Sequence, residues 1–184
     1  KTECPSNVDI ARLKAEYTAQ RYRESGTPLA SKIMGEVRTL NRLGAIAPAI
    51  ANWMNTTGLA RAIVNRVLDI HPQRSLPKFS EALDRAWNRE SPTARSARRA
   101  QAPTVALFGD CFTMYNESHI GLATKRVYEA FGYNIVLANA GCCGRAKISL
   151  GLLAEAIHDI DDTLERLTPL IESDEVAAIV VAEP

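Results

Sequence analysis

Thr104-Val105-Ala106-Leu107-Phe108 is a short unbroken apolar run, and its reading decides the fold. A run of this length and composition marks a strand buried on both faces. Two more runs follow, Asn134–Ala138 through Ile135, Val136 and Leu137, and Val176–Val181. Between the first two, Ser118–Phe131 repeats at helical spacing, with Ile120, Ala123, Val127, Ala130 and Phe131 expected inward and Gly132 past its end. Between the second and third, one long helix is expected from Ala146 to about Ser173, through Ile148, Leu152, Leu153, Ile157, Ile160, Leu164 and Leu167, with Pro169 bending or ending it. Strand, helix, strand, helix, strand predicts a parallel sheet with right-handed crossovers. The strand C-termini then share one edge, outside which ligands of open α/β sheets bind.

Upstream the period changes to that of helices throughout. Ser6 with Asp9 opens a helix reaching about Ser25, with Ile10, Leu13 and Tyr17 on one face. Gly26-Thr27-Pro28 ends it and starts a second, which carries Ile33, Met34, Val37, Leu40 and Leu43 to Gly44. Shorter helices are expected at Pro48–Met54, Leu59–Ile70 and Ser80–Asn88. Arg89–Ala102 holds four arginines among small and polar residues and reads as a linker. The fold class is therefore α/β, an N-terminal helical connector (8–88), a linker (89–102) and a Rossmann-like parallel-sheet βαβαβ half-domain (103–184).

The 184 residues are 46% apolar, enough for a true core, and carry 22 basic against 21 acidic side chains. That balance gives no footprint of a nucleic-acid binder. No run is apolar for long enough to span a bilayer. Four cysteines, at positions 4, 111, 142 and 143, do not form a secreted disulfide pattern, so a reducing, cytoplasmic location is expected. The start at Lys1 without Met and the stop at Pro184 just after a strand pattern lead to the expectation that both ends lie within a longer protein.

Gly141-Cys142-Cys143-Gly144 follows the second strand, and Cys111 follows the first in a loop expected over Gly109–Glu117. Adjacent α-carbons lie about 3.8 Å apart, too close for an unstrained disulfide at roughly 4.4–6.8 Å. Two thiols from one turn with a third from a neighbouring turn suit iron or zinc. Gly141 and Gly144 would let backbone approach a cofactor. A helix beginning near Ala146 would favour thiolate over thiol. A fourth ligand is expected beyond Pro184. Asp110 and Glu117 are further candidates for contact with a metal or substrate, against a simpler capping role. His119, in the first turn of a helix near Cys111, could ligate a metal but is expected to be exposed, and His71 to end a helix. No catalytic constellation is visible.

Phe108-Gly109-Asp110-Cys111-Phe112, Tyr115-Asn116-Glu117, Gly121 and Gly141-Cys142-Cys143-Gly144-Arg145 resemble the first half of a cysteine-rich CCG domain. Such domains occur in heterodisulfide reductase and in the iron–sulfur subunits of glycolate oxidase and anaerobic glycerol-3-phosphate dehydrogenase. Lys1-Thr2-Glu3-Cys4-Pro5 resembles the end of a ferredoxin segment, assigned to residues 1–7. Leu40-Asn41-Arg42-Leu43-Gly44, Ala51-Asn52-Trp53 and Arg74-Ser75-Leu76-Pro77 resemble the helical connector of fused FAD/iron–sulfur oxidases of the D-lactate or D-2-hydroxyglutarate dehydrogenase type.

The resemblance implies the iron–sulfur electron-transfer region of a flavin-dependent 2-hydroxyacid oxidoreductase. FAD and ferredoxin domains would lie upstream in the same polypeptide, and the acceptor would be a quinone or another redox protein, at the inner face of the membrane if peripheral. It implies that Cys4, Cys111, Cys142 and Cys143 are metal ligands of 4Fe-4S clusters in the full-length protein, the last site not intact in this fragment, which alone is expected to be inactive. Three readings compete: a structural zinc module, a thiol enzyme with Cys142 as nucleophile, and a metal-free interaction domain that docks within the same kind of complex.

Overall fold

The computed structural model of the chain describes residues 8–90, 102–138, 140–173 and 175–182. Cys4, the ferredoxin-like residues 1–7 and most of the arginine-rich linker lie outside these residues. The three strands occupy the spans that the apolar runs predict: β1 Thr104–Phe108, β2 Asn134–Ala138 and β3 Val176–Val181. They form one parallel sheet in the order β2-β1-β3. The first crossover helix, α8 (Ser118–Phe131), and the last, α10 (Leu153–Glu172), cover opposite faces. Leu107 packs with Leu83, Met114, Tyr115 and Leu122 on one side. Ala106 and Phe108 pack with Leu167 and Leu170 of α10 on the other. The register shifts between Thr104 and Val105 against β3, which puts both Val176 and Ile179 on the α10 face.

Because β1 lies in the centre, the chain reverses direction across it, and the switch point of the sheet lies between β1 and β3. Phe108 is opposite Ala138 on one side and Val181 on the other. The three strands thus end at one level, and the turns that follow start side by side.

The connector is made of α1 (Ile10–Ser25), α2 (Leu29–Gly35), α3 (Val37–Gly44), α4 (Pro48–Thr56), α5 (Gly58–Leu68) and α6 (Leu83–Arg89). Asp9 caps α1, accepting from Arg12 N–H at 3.2 Å. The single helix expected from Pro28 to Gly44 is broken at Glu36 into α2 and α3. The break is used: Glu36 Oε1 pairs with Lys147 Nζ at 2.8 Å. Lys147 is itself buried and also bonds Asp159 Oδ1 at 2.9 Å. One lysine therefore ties the connector to α9 (Arg145–Ser149) and α10.

Close backbone approaches do the rest. A Cβ on Gly35 would meet Leu152 at 2.6 Å, and one on Gly44 would meet the Phe79 ring at 2.5 Å. Asn52 holds residue 79 at both ends, donating to Phe79 C=O and accepting from Phe79 N–H, each at 2.8 Å. From the end of the connector, Leu83 is fully buried under the sheet.

Two apolar helix faces are turned out, that of α8 against expectation. Ile10, Leu13 and Tyr17 of α1 are exposed, and Ala15 is the buried residue. On α8, Val127 and Phe131 are exposed, Phe131 at 78%, while Gly121, Lys125 and Glu129 face in. Lys125 is held there by Glu90 at 3.5 Å, Glu129 at 3.4 Å and the Trp87 ring at 5.4 Å. An ion-paired lysine stacked on an aromatic ring replaces the simple apolar contact that periodicity predicts. Among the described residues no helix is long and apolar enough to cross a membrane.

Candidate functional site

Residues 109–117 are not a plain loop. Asp110 caps a short helix, α7 (Cys111–Tyr115), accepting from Phe112 N–H at 2.8 Å and Thr113 N–H at 3.1 Å. Its second oxygen accepts from the Thr113 hydroxyl. The carboxylate is thus committed to capping, and Cys111 becomes the first residue of α7, buried at the C-terminal edge of β1. The segment is lashed down from above: Asn116 donates to Lys78 C=O at 2.9 Å, and Ser80 N–H to Tyr115 C=O at 2.8 Å. Glu117 leads into α8 without a side-chain cap bond, and His119 is exposed.

The loop after β2 is fixed by α10. The Thr163 hydroxyl donates to Cys142 C=O at 2.8 Å. Gly141, at φ +136°, has Thr163 Oγ1 only 2.6 Å from where a Cβ would stand, and Gly144, at φ +72°, has Ile160 Cδ1 at 3.1 Å. Both glycines therefore let the loop lie against α10, a packing reason that stands beside the expected approach to a cofactor. The long helix expected from Ala146 is broken at Leu150-Gly151-Leu152, where Gly151 has φ +77° and meets Thr18 of α1.

Cys111, Cys142 and Cys143 line one cleft of about 620 Å³, together with Phe108, Phe112 and Val181. Turns after β1 and β2 thus bring the three thiols to one crevice, with the end of β3 as its third side. Cys111 is buried, Cys142 half-buried and Cys143 exposed.

The thiols interact in sequence. Cys142 donates to the Cys111 sulfur, which lowers the Cys111 pKa; burial opposes this, and the positive charge and hydrogen bond of Arg38 add to the lowering. The same bond raises the Cys142 pKa. Cys143 donates in turn to Cys142, and its own pKa is raised by that bond and by burial. Backbone N–H groups at Gly144 and Arg145 act the other way and are outweighed. As free thiols, the CC pair is thus held towards the protonated form and Cys111 towards the thiolate, and α9, which starts just after the pair at Arg145, is only five residues long.

Arg38 carries no signal of a site residue in the sequence. It lies on α3, donates from Nη1 to Gly109 C=O at 3.1 Å, and its guanidinium stands 5.6 Å from the centre of the Tyr115 ring. It comes from 71 positions upstream of Gly109, so no local pattern announces it. Thr163 is hidden likewise; its only signal is a polar residue on an otherwise apolar helix face.

A row of soft thiol donors is the right chemistry for iron or zinc. Among the described residues, however, no group of three or more His, Cys, Asp or Glu side chains is placed to hold a metal ion. The donors fit a thiolate-bound metal in kind; gathering them on one centre requires the thiols to turn and further donors to join.

No family model matches the chain, and no solved structure matches it. It is similar to a subunit of the anaerobic glycerol-3-phosphate dehydrogenase of Escherichia coli (strain K12), 30% identical over 158 residues that cover 83% of this chain and 38% of that protein. It is also similar to the D-2-hydroxyglutarate dehydrogenase of the same strain, 24% identical over 178 residues, 92% of this chain and 17% of that one. The chain thus spans well under half the length of either relative. Identity is higher to the glycerol-3-phosphate protein than to the D-2-hydroxyglutarate enzyme.

Proposed function

We propose that this chain is the electron-transfer region of a flavin-dependent 2-hydroxyacid oxidoreductase, and that Cys111, Cys142 and Cys143 are thiolate ligands of an iron–sulfur cluster. The observation that carries the reading is the convergence of the three thiols, from two turns of a parallel sheet, in one cleft at its C-terminal edge. Similarity to two dehydrogenase chains supports the redox context. Cys4 would serve a second cluster in an adjoining ferredoxin segment, and FAD would belong to an upstream domain. A quinone or a further redox protein would accept the electrons.

A bound cluster supplies one-electron transfer without group chemistry. This chain's residues supply the rest. Asp110 fixes the start of α7 and so the position of Cys111. Thr163 fixes the carbonyl of Cys142. Arg38 brings a positive charge against thiolates that would otherwise repel one another. Gly141 and Gly144 leave room for close approach, and Phe108 and Phe112 give the cleft apolar walls that limit water.

A second reading is a metal-free docking module, with structural zinc as its variant. The metal-free form is favoured by the exposed Ile46, Ile50, Trp53, Leu59 and Ile63 on and beside α4 and α5. Anaerobic purification of the chain extended at both ends, with assays of iron, sulfide, zinc and flavin, separates them. Stoichiometric iron and sulfide are expected; a folded, flavin-loaded protein with no iron would overturn the first reading.

A further inference from the structure

A second cleft, of about 800 Å³, shares Cys142 with the thiol cleft. Its walls come from three separate segments: α3 with Arg38 and Arg42, the start of α6 with Arg85, and α10 with Arg166. Tyr115 and Gly141 also line it, beside Cys142. We propose that this cleft binds a small, multiply charged oxyanion, a polycarboxylate or a polyphosphate, against its arginines.

Four arginines and four carboxylates line the cleft, and they differ in how far each is engaged. Two of its four carboxylates, Glu36 and Asp159, are already engaged by the buried Lys147 at 2.8 Å each. Asp84 accepts from the backbone N–H of Arg85 at 2.7 Å, and Asp162 lies 3.6 Å from His158 Nδ1. Arg42, Arg85 and Arg166 have no ion pair or side-chain hydrogen bond among the described residues. Arginines scattered over a convex surface would be ordinary solvated charges. Here three uncommitted guanidiniums, from segments more than 40 residues apart in the chain, edge one concave site, and a fourth, Arg38, lines it while donating to Gly109 C=O. The planar guanidinium fork matches carboxylate and phosphate oxygens in pairs. The volume is that of small-ligand sites, roughly 300–1,000 Å³. An anion seated there would lie against Cys142 while leaving Cys143, which lines only the first cleft, uncovered.

The test uses the metal-free chain, so that its failure and the failure of the iron–sulfur reading remain separate results. Citrate and pyrophosphate are titrated calorimetrically at low ionic strength, and alkylation of Cys142 and Cys143 by iodoacetamide is followed by mass spectrometry. Saturable one-to-one binding of at least one probe is expected, with Cys142 slowed and Cys143 unaffected. Tighter citrate binding assigns a polycarboxylate, tighter pyrophosphate a polyphosphate. Arg42→Gln with Arg166→Gln should weaken binding about 100-fold, about tenfold for each charged contact removed. Both arginines are exposed and uncommitted, so circular dichroism of the double variant should match the parent. The proposal is overturned if neither probe saturates, if the folded variant binds as tightly as the parent, or if Cys142 and Cys143 are slowed equally.

Discussion

Gly141→Ala tests why a glycine precedes the cysteine pair. At φ +136° the backbone lies where L side chains rarely go, and the new Cβ would stand 2.6 Å from Thr163 Oγ1. Holding a non-glycine residue in a sparsely populated backbone region costs about 1–3 kcal/mol. Moving Thr163 away breaks its 2.8 Å bond to Cys142 C=O, a loss of about 1 kcal/mol. The sum is about 3 kcal/mol, read as a lower urea midpoint at unchanged slope. Thr163→Ala alone loses the hydroxyl and should cost about 1 kcal/mol. In the double variant the clashing oxygen is gone, so the combined loss should fall short of the sum by about 1 kcal/mol, a coupling of the size expected for touching residues. All of this is measured on the metal-free chain, where no cofactor contact contributes. Gly141→Ala within about 0.5 kcal/mol of the parent, the range of an ordinary surface change, would refute the packing explanation and return the glycine to a purely cofactor-directed role.

Lys147→Met keeps the volume of a buried side chain but removes the bonds to Glu36 and Asp159; since Glu36 is half exposed and regains water, a loss of about 2 kcal/mol is expected, and an unchanged thermal midpoint would show that the lysine does not fasten the connector. Glu90 has a lowered pKa: burial raises it, and the hydrogen bond from Arg126 with the charge of Lys125 outweighs burial. Its stabilising contribution is therefore complete above the unfolded value of 4.5 and is lost as pH falls below it through the folded value; Glu90→Gln should flatten that acid limb of the urea midpoint against pH, and an identical profile would count against it. Arg38→Met should slow alkylation of Cys111 near neutral pH in the metal-free chain while Arg38→Lys restores part of the rate, because a positive charge favours the Cys111 thiolate; equal rates in both variants and the parent would deny Arg38 that influence.

The sheet is legible in the sequence because its strands are continuous apolar runs, and parallel pairing then dictates that their C-terminal ends share an edge. Pairing alone therefore brings Cys111, Cys142 and Cys143 to one cleft, and Phe108, opposite both Ala138 and Val181, shows why it works. Helix faces are less legible. Periodicity sends Phe131 inward, yet Lys125 and Glu129 occupy the buried face through ion pairs and the Trp87 ring, contacts that depend on Glu90 from outside α8. The breaks at Glu36 and Gly151 are hidden because each is stabilised by a distant partner, Lys147 for one and the close passage of α1 for the other. Arg38 is invisible for the same reason: its place at the thiols depends on how α3 docks, which no local spacing encodes.

The most direct measurement of the central claim is iron and acid-labile sulfide content after single Cys→Ser substitution in the chain extended at both ends, purified without oxygen. Cys111→Ser, Cys142→Ser and Cys143→Ser should each remove the signal of the same cluster while the flavin remains bound. Full retention of iron and sulfide in all three variants would show that these thiols meet in one cleft for another purpose.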